Sequence, residues 1–298
     1  MRHYYSVRTV NVGVIGAGIM GSNLARCLHS KGVKVNIYNR TRERAEKLAE
    51  ELPGLRVYDS PNKLLRDSDA AIVLVADDEA LLSVVRAITS EEYSNAPLLL
   101  NVSTVTPMAS LEAMRALRER RVAYSEGPVY GSADEARECR LVSYIACSSD
   151  AYERARRVAE LYSTRVLYIG EPPRASVLKL ALNNIGLSVP ALLAESLALL
   201  RAWNIEETLL LEASGGLWFK PVIERFWQRV FAEKPPRFTV KLAVKDYSYI
   251  EKALLEKGVN PVVSTAIRKI YEEASRAGYS EKDYPRAAYY FLEKSSKV

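Results

Sequence analysis

The sequence predicts an α/β protein in which a doubly wound parallel sheet is followed by a long linking helix and an all-α domain. Three observations carry this. Short β-branched runs alternate with helical patterns from Asn11 onward, strand signals largely stop near Arg174, and beyond that point apolar residues recur at helical spacing. The predicted division is therefore 1–173 for the sheet domain and 174–298 for the helical one, with the linking helix over about 175–202.

The elements follow in order. "NVGVIG" reads as a strand and leads into a helix through "NLARCLHSKG", ended by Gly32. "VKVNIYN" leads to the charged helix "RERAEKLAEEL". Then come "LRVYD", "AAIVLV", a helix from Glu79 to Ile88, "APLLLNV", a helix from Pro107 to Arg120, and "VAYSEG". Strands alternating with helices imply right-handed crossovers and a parallel sheet. The runs "LVSYIAC" and "RVLYIG", flanking a helix from Ala151 to Tyr162, extend it. From "RASVLKLALNNIGLSVPALLAESLALL" the pattern turns helical, through "IEETLLLEAS", "FKPVIERFWQRVF", "TVKLAVKDYSYIEKALLEKG", "PVVSTAIRKIYEEASRAG" and "YSEKDYPRAAYYFLEK". Pro190 is expected to kink the linking helix.

Composition narrows the function. The chain has 298 residues, 48% hydrophobic and 26% charged, enough for two cored domains. Its net charge of +6 suits an anionic small molecule; the basic residues are interleaved with acids, as in "RTRERAEKLAEE", so no nucleic-acid partner is expected. Cys27, Cys139 and Cys147 lie far apart without a CxxC pair, which argues against disulfides or structural zinc and fits a reducing, cytoplasmic setting. The polar, aromatic "MRHYYSVRT" has no signal core, and the apolar stretch from Leu180 to Ala194 carries two asparagines, a serine and a proline. It is read as a buried helix, with no membrane partner. His3 and His29 are the only histidines, so acid–base chemistry falls to Lys, Tyr, Asp, Glu or Cys. A single glutamine, Gln228, among many Arg, Glu and Tyr gives a thermophilic cast.

"VGVIGAGIMGSNLA" sets Gly16, Gly18 and Gly21 in G-x-G-x-x-G spacing, with Ile19 and Met20 between the last two. Placed after a strand and at the opening of a helix, the motif predicts a Rossmann-type dinucleotide site. Gly16 allows the turn, Gly18 the approach of a pyrophosphate, and Gly21 close helix–strand packing. The helix N-terminus supplies N–H groups and partial positive charge. After the next strand the chain has Asn39, Arg40, Thr41 and Arg42 where a carboxylate would hold the ribose of NAD. Guanidinium and hydroxyl groups suit a 2′-phosphate, so NADP(H) is expected in preference to NAD(H).

"GVIGAGIMGSNLA", "EGPVYGSADEARE" and "SVLKLALNN", in this order and spacing, resemble the β-hydroxyacid dehydrogenase family, which includes 3-hydroxyisobutyrate dehydrogenase and the glyoxylate/succinic semialdehyde reductases. "NVSTVTP" and "LAVKDYSYI" match two further family segments, and the resemblance spans nearly the whole chain. It implies Lys179 as the catalytic lysine. A buried ammonium would have a lowered pKa and could protonate a developing alkoxide, with no suitable histidine to compete. Asn183 lies one helical turn on, on the same face, to orient substrate or lysine. The resemblance further implies a substrate carboxylate cradle at Tyr130, Gly131 and Ser132, where relatives usually carry Ser-Gly-Gly; the bulkier Tyr130 either narrows the site toward small acids such as glyoxylate or presents its hydroxyl elsewhere. By the same resemblance Ser103 serves substrate and Thr104 the nicotinamide side. Val75 and Ala76 of "VADDEA" flank the nucleotide, and Lys245, beside Asp246, closes over it.

Trp218 and Phe219 are read as core rather than pocket wall. Tyr290 and Lys294 in "YFLEK" have Y-x-x-x-K spacing but sit in a terminal helix outside the nucleotide domain, and are set aside. The expected activity is NADP-dependent interconversion of a small hydroxy acid and its aldehyde or keto acid. The alternatives are a 3-hydroxyisobutyrate or L-serine 3-dehydrogenase and, from another class, a non-catalytic NADP-binding sensor or scaffold. An imine reductase fits less well, because that related group generally replaces the lysine. The expected partner is a small anionic hydroxy acid or semialdehyde. The linking helix, apolar around much of its circumference, predicts a homodimer or homotetramer.

Overall fold

The structure is a computed structural model describing residues 11–94 and 96–295; His3 lies outside the described residues. The chain divides into two compact units, 1–179 and 180–298.

The first unit opens with β1 (Asn11–Ile15), α1 (Ile19–Ser30), β2 (Lys34–Tyr38), α2 (Arg42–Glu51) and β3 (Arg56–Val57). It continues with α3 (Pro61–Arg66), β4 (Ala70–Val73), α4 (Asp78–Thr89), β5 (Leu98–Asn101), α5 (Pro107–Glu119) and β6 (Ala123–Glu126). These six strands pair in parallel in the order β3-β2-β1-β4-β5-β6. The central strands β4 and β5, "AAIV" and "LLLN", are buried throughout, as strands covered on both faces must be. One apolar layer joins Leu24 and Leu28 of α1 to Val12, Ile37 and Leu100. The other packs Leu64, Leu81, Ile88 and Leu117 against Ile15, Val73 and Leu99.

The sheet then departs from the all-parallel expectation. β7 (Val129–Tyr130), α6 (Ala133–Arg137), β8 (Leu141–Cys147), α7 (Ser149–Glu160) and β9 (Ser163–Gly170) follow. β8 runs antiparallel to β6 and β7, while β9 returns parallel to β8. The loop and short helix between β7 and β8 turn the chain back on itself. Only α7, spanning the sheet between β8 and β9, provides the full crossover that parallel pairing needs.

The sequence expectation for the cysteines is corrected here. Cys27 on α1 and Cys139 just after α6 form a disulfide across 112 residues of chain, and Cys147 is a buried free thiol. Linear spacing hides the pairing because α6 folds back onto α1, which brings the two Cα atoms to 5.5 Å.

Helix α8 (Arg174–Ala202) ends the first unit and begins the second. It is continued by α9 (Thr208–Ala213), α10 (Lys220–Phe231), α11 (Val240–Leu255), α12 (Val262–Ala274), a π-helical turn (Ser275–Tyr279) and α13 (Arg286–Ser295). The core of this unit gathers Leu187, Ala194, Leu197, Phe226, Tyr247, Tyr271 and Tyr284. Buried Asp283 binds the Arg229 guanidinium and accepts the Arg237 and Phe238 amides, which fixes the chain between α10 and α11. α8 runs through Pro190 as one helix and is held by Tyr247 and Tyr271, whose hydroxyls donate to the Asn184 and Leu187 carbonyls at 3.0 and 2.6 Å.

The reading of α8 as a buried helix holds for one face only. Among the described residues it is the one helix long and apolar enough to cross a membrane, yet 33% of its most apolar stretch is buried. Ile185, Leu192 and Leu199 are 70%, 60% and 62% exposed. Trp218, expected in the core, is also exposed, because it lies in the turn before α10 rather than on that helix's inner face; Phe219 packs against the core.

Candidate active site

The first unit builds a phosphate cradle at the C-terminal edge of its sheet. Gly16 ends β1 with φ +115° and donates its amide to the Tyr38 carbonyl at 2.8 Å, joining the glycine loop to the end of β2. Gly18 caps α1, whose first turn holds no acidic side chain, so its partial positive charge is not offset locally. A Cβ built on Gly16 or Gly21 would overlap backbone carbonyl oxygens, whereas one on Gly18 meets only open space. That distribution fits a dinucleotide: two glycines are demanded by the fold, and the third leaves a face for the ligand to fill. Ile19 is exposed and Met20 packs on the core beneath.

Asn39 has its side chain engaged: Oδ1 accepts the Ala17 amide at 2.9 Å and Nδ2 donates to the Thr41 carbonyl at 2.7 Å. It shapes the glycine loop. Arg40 and Thr41 are exposed beside it, while Arg42 is paired with Glu46 at 2.7 Å. A groove of about 550 Å³ is lined by Ala17, Gly18, Ile19, Ser22, Asn23, Arg26 and Arg44. Arg26 is tied to Glu51, which leaves Arg44 as the cation in the groove that sequence reading passed over. It looked like one more charge in "RERAEK"; the detectable signal was its position on the first turn of α2, facing the glycine loop.

At the next two strand ends, the Ser103 hydroxyl accepts the Val75 amide at 2.9 Å and donates to the Val73 carbonyl at 3.3 Å, while the Ser103 amide bonds Asn101 Oδ1. Ser103 thus braces the Val75–Ala76 segment, with Ala76 exposed and Thr104 half-buried beside it. Asp78 holds the start of α5 by accepting from the Thr106 amide and hydroxyl.

The residues expected to cradle substrate lie on β7 and at the start of α6. Gly131 has φ +134°, and a Cβ there would meet the Leu141 side chain, so glycine is required. Ser132 caps α6 in a reciprocal box with Glu135, which occupies its amide and hydroxyl. The hydroxyl assigned to substrate from sequence therefore serves the helix. Tyr130 is 42% exposed, and the Lys179 ammonium lies over its ring at 5.7 Å from the centroid. The fold thus brings Lys179 to Tyr130 from 49 residues away in sequence.

In the second unit Asn183 is nearly buried and donates to Asp246 Oδ2 at 2.6 Å; Asp246 Oδ1 pairs with the Lys245 ammonium at 3.1 Å. Lys245 also lies 4.9 Å from the Tyr249 ring centroid. Asp246, fully buried, orients the Asn183 amide so that its carbonyl oxygen is turned away from the carboxylate. Tyr290 and Lys294, set aside from sequence, both bind Glu273 within the helical unit.

A parallel sheet with a glycine loop between its first strand and helix is the architecture of a nicotinamide-dinucleotide-binding unit. Residues 11–170 match the family described as the NAD binding domain of 6-phosphogluconate dehydrogenase. The chain belongs to the β-hydroxyacid dehydrogenase family, NAD(P)-dependent dehydrogenases and reductases that act on CH–OH groups. It is 26% identical to glyoxylate/succinic semialdehyde reductase 1 of Arabidopsis thaliana, over 92% of this chain and 96% of that protein. To the uncharacterized oxidoreductase YfjR of Bacillus subtilis it is 24% identical, over 92% and 97%. In fold it is similar to Mycobacterium tuberculosis 3-hydroxyisobutyrate dehydrogenase, solved with L-serine: TM-score 0.80 and 17% identity, covering 95% of this chain and 99% of that one.

Proposed function

We propose that this protein is an NADP-dependent reductase that interconverts a small hydroxy acid and its aldehyde or keto acid, with Lys179 as the proton donor. The observation that carries the reading is the Lys179 ammonium set over Tyr130 at the cradle. When bound, a reduced nicotinamide supplies the hydride. The chain's own residues do the rest. Gly18 and the α1 N-terminus receive the pyrophosphate, and Arg40, Thr41 and Arg44 offer guanidinium and hydroxyl groups to a 2′-phosphate. Lys179 gives a proton to the substrate oxygen as the neighbouring carbon is reduced, and takes it back in the reverse direction. Tyr130 occupies the side of the cradle where a serine would leave room, which favours compact acids of the glyoxylate or semialdehyde class. Asn183, oriented by Asp246, presents its amide oxygen to substrate or lysine. We place the enzyme in the cytoplasm, where a thermophilic protein can retain the Cys27–Cys139 disulfide, as a homodimer or homotetramer.

NADPH and NADH consumption across glyoxylate, succinic semialdehyde and methylmalonate semialdehyde tests the reading. Turnover with NADPH is expected on at least one of these, and Lys179→Ala is expected to lower kcat about 10²–10⁴-fold while NADPH still binds. Near-normal turnover by a folded Lys179→Ala overturns the lysine assignment. A tighter Kd for NADH than for NADPH overturns the cofactor preference, and binding without turnover on every acid leaves the sensor reading.

A further inference from the structure

Glu126 ends β6 and is fully buried, an unusual place for a carboxyl group. Burial pushes its pKa up, against the pull of the donors around it. Its oxygens receive four hydrogen bonds. The Ala175 and Ser176 amides, in the first turn of α8, donate to Oε2 at 2.9 and 3.3 Å. The Ser176 hydroxyl donates to Oε1 at 2.5 Å, and the Ser110 hydroxyl of α5 donates to the same oxygen.

The bonds behind Ser110 run in one direction. Asn101 Oδ1 accepts the Ser103 amide, so Asn101 Nδ2 donates to the Tyr124 hydroxyl at 3.3 Å. Tyr124, a buried phenol whose pKa is raised by desolvation, in turn donates to Ser110 Oγ at 2.9 Å. Ser110 then donates to Glu126. Every proton in the chain points toward the carboxyl group, which acts only as an acceptor and collects the amides of α8 on its other oxygen.

We infer that Glu126 is a positioning residue, whose carboxylate docks the first turn of α8 on the end of β6 and thereby sets where Lys179 presents its nitrogen. Ser176 and Ala175 precede Lys179 by three and four residues, the spacing at which helix side chains share a face. Lys179 sits roughly 6 Å along the axis from Ala175, at 1.5 Å per residue. The same network begins at the Ser103 amide, so one chain of hydrogen bonds ties the Val75–Thr104 edge to the lysine's helix. The inference rests on the assignment of Lys179 as proton donor.

Glu126→Ala removes the anchor. Glu126→Gln keeps one acceptor oxygen for the α8 amides and presents an NH₂ to Ser110 and Ser176, whose hydroxyls can rotate to accept it. With the best substrate of the panel, kcat is expected to fall about 100-fold in Glu126→Ala and about tenfold in Glu126→Gln, in line with the cost of an ångström's misplacement. The Kd for NADPH, read by its fluorescence, should stay within twofold, because the glycine loop is untouched. Hydrogen exchange at the Ala175 and Ser176 amides should accelerate in both variants. Should Glu126→Ala fail to fold, Glu126→Gln and Ser176→Ala carry the test. A folded variant with unchanged kcat and unchanged amide exchange overturns the proposal, as does a loss of kcat matched by equal losses in NADPH binding and Tm. Lys179→Ala assayed in parallel separates the two ideas. If it stays active the lysine assignment fails, and if it is dead beside inert Glu126 variants only the positioning role fails.

Discussion

Glycines in the phosphate loop divide by what stands beside them. Gly16 is held at φ +115° against the Leu74 carbonyl, so Gly16→Ala strains the backbone and collides with it. Gly18 has φ −77°, which any residue adopts, and nothing near its missing side chain. We expect Gly18→Ala to keep its Tm within about 2 °C of the parent, since it should cost well under 1 kcal/mol. The same methyl should weaken NADPH binding at least tenfold by filling the face that a pyrophosphate approaches. Gly16→Ala should lose several degrees of Tm instead. Calorimetry with fluorescence titration checks both, and unchanged NADPH affinity in Gly18→Ala would count against the cradle. The sequence showed these three glycines because their spacing is local. It did not show that Ser132 and Ser103 spend their hydroxyls on a helix cap and a strand-end brace, although S-x-x-E at Ser132–Glu135 is a readable capping box. Nor did it mark Glu126, one acid in "VAYSEG", whose partners lie on α5 and α8.

At the level of elements, the alternating pattern made β1 through β6 legible, because a strand buried on both faces must be an apolar run and a crossover must be a helix. Strand direction was not, since "LVSYIAC" reads alike whether β8 runs parallel or antiparallel to its neighbour. The pairing of Cys27 with Cys139 was equally hidden, as it depends on how α6 returns to α1. That link closes a 112-residue loop containing six of the nine strands entirely. Loop-closure entropy assigns such a cross-link about 2–5 kcal/mol. Reduction, or Cys139→Ser, should therefore lower the Tm of the first unit on the order of 5–15 °C. Scanning calorimetry with and without a phosphine reductant measures it, alongside the intact mass under non-reducing conditions. A thiol titration that finds all three cysteines free in the folded protein would remove the basis for this expectation.

On the scale of the whole molecule, the question is what covers α8. Ile185, Leu192 and Leu199 recur every seven residues and so form one stripe, joined near the helix end by Trp203 at 74% exposed. A bilayer is a poor occupant. The opposite face of the helix is already committed to protein through Leu187, Ala194 and Leu197, and Tyr247 and Tyr271 bond its carbonyls. A helix half-embedded in a polar-surfaced unit cannot offer its whole circumference to lipid. A second copy fits better, because a stripe along one helix is self-complementary when two copies pack about a twofold axis. Burying four large side chains of about 1.5–3 kcal/mol each on both sides gives such a contact ample driving force. We expect sedimentation velocity at micromolar concentration to show a dimer or tetramer. The double variant Leu192→Glu, Leu199→Glu should shift it toward monomer with NADPH affinity in the first unit unchanged. A parent protein that sediments as a monomer rules out self-association through this stripe, and flotation of the parent with neutral liposomes assigns it to lipid.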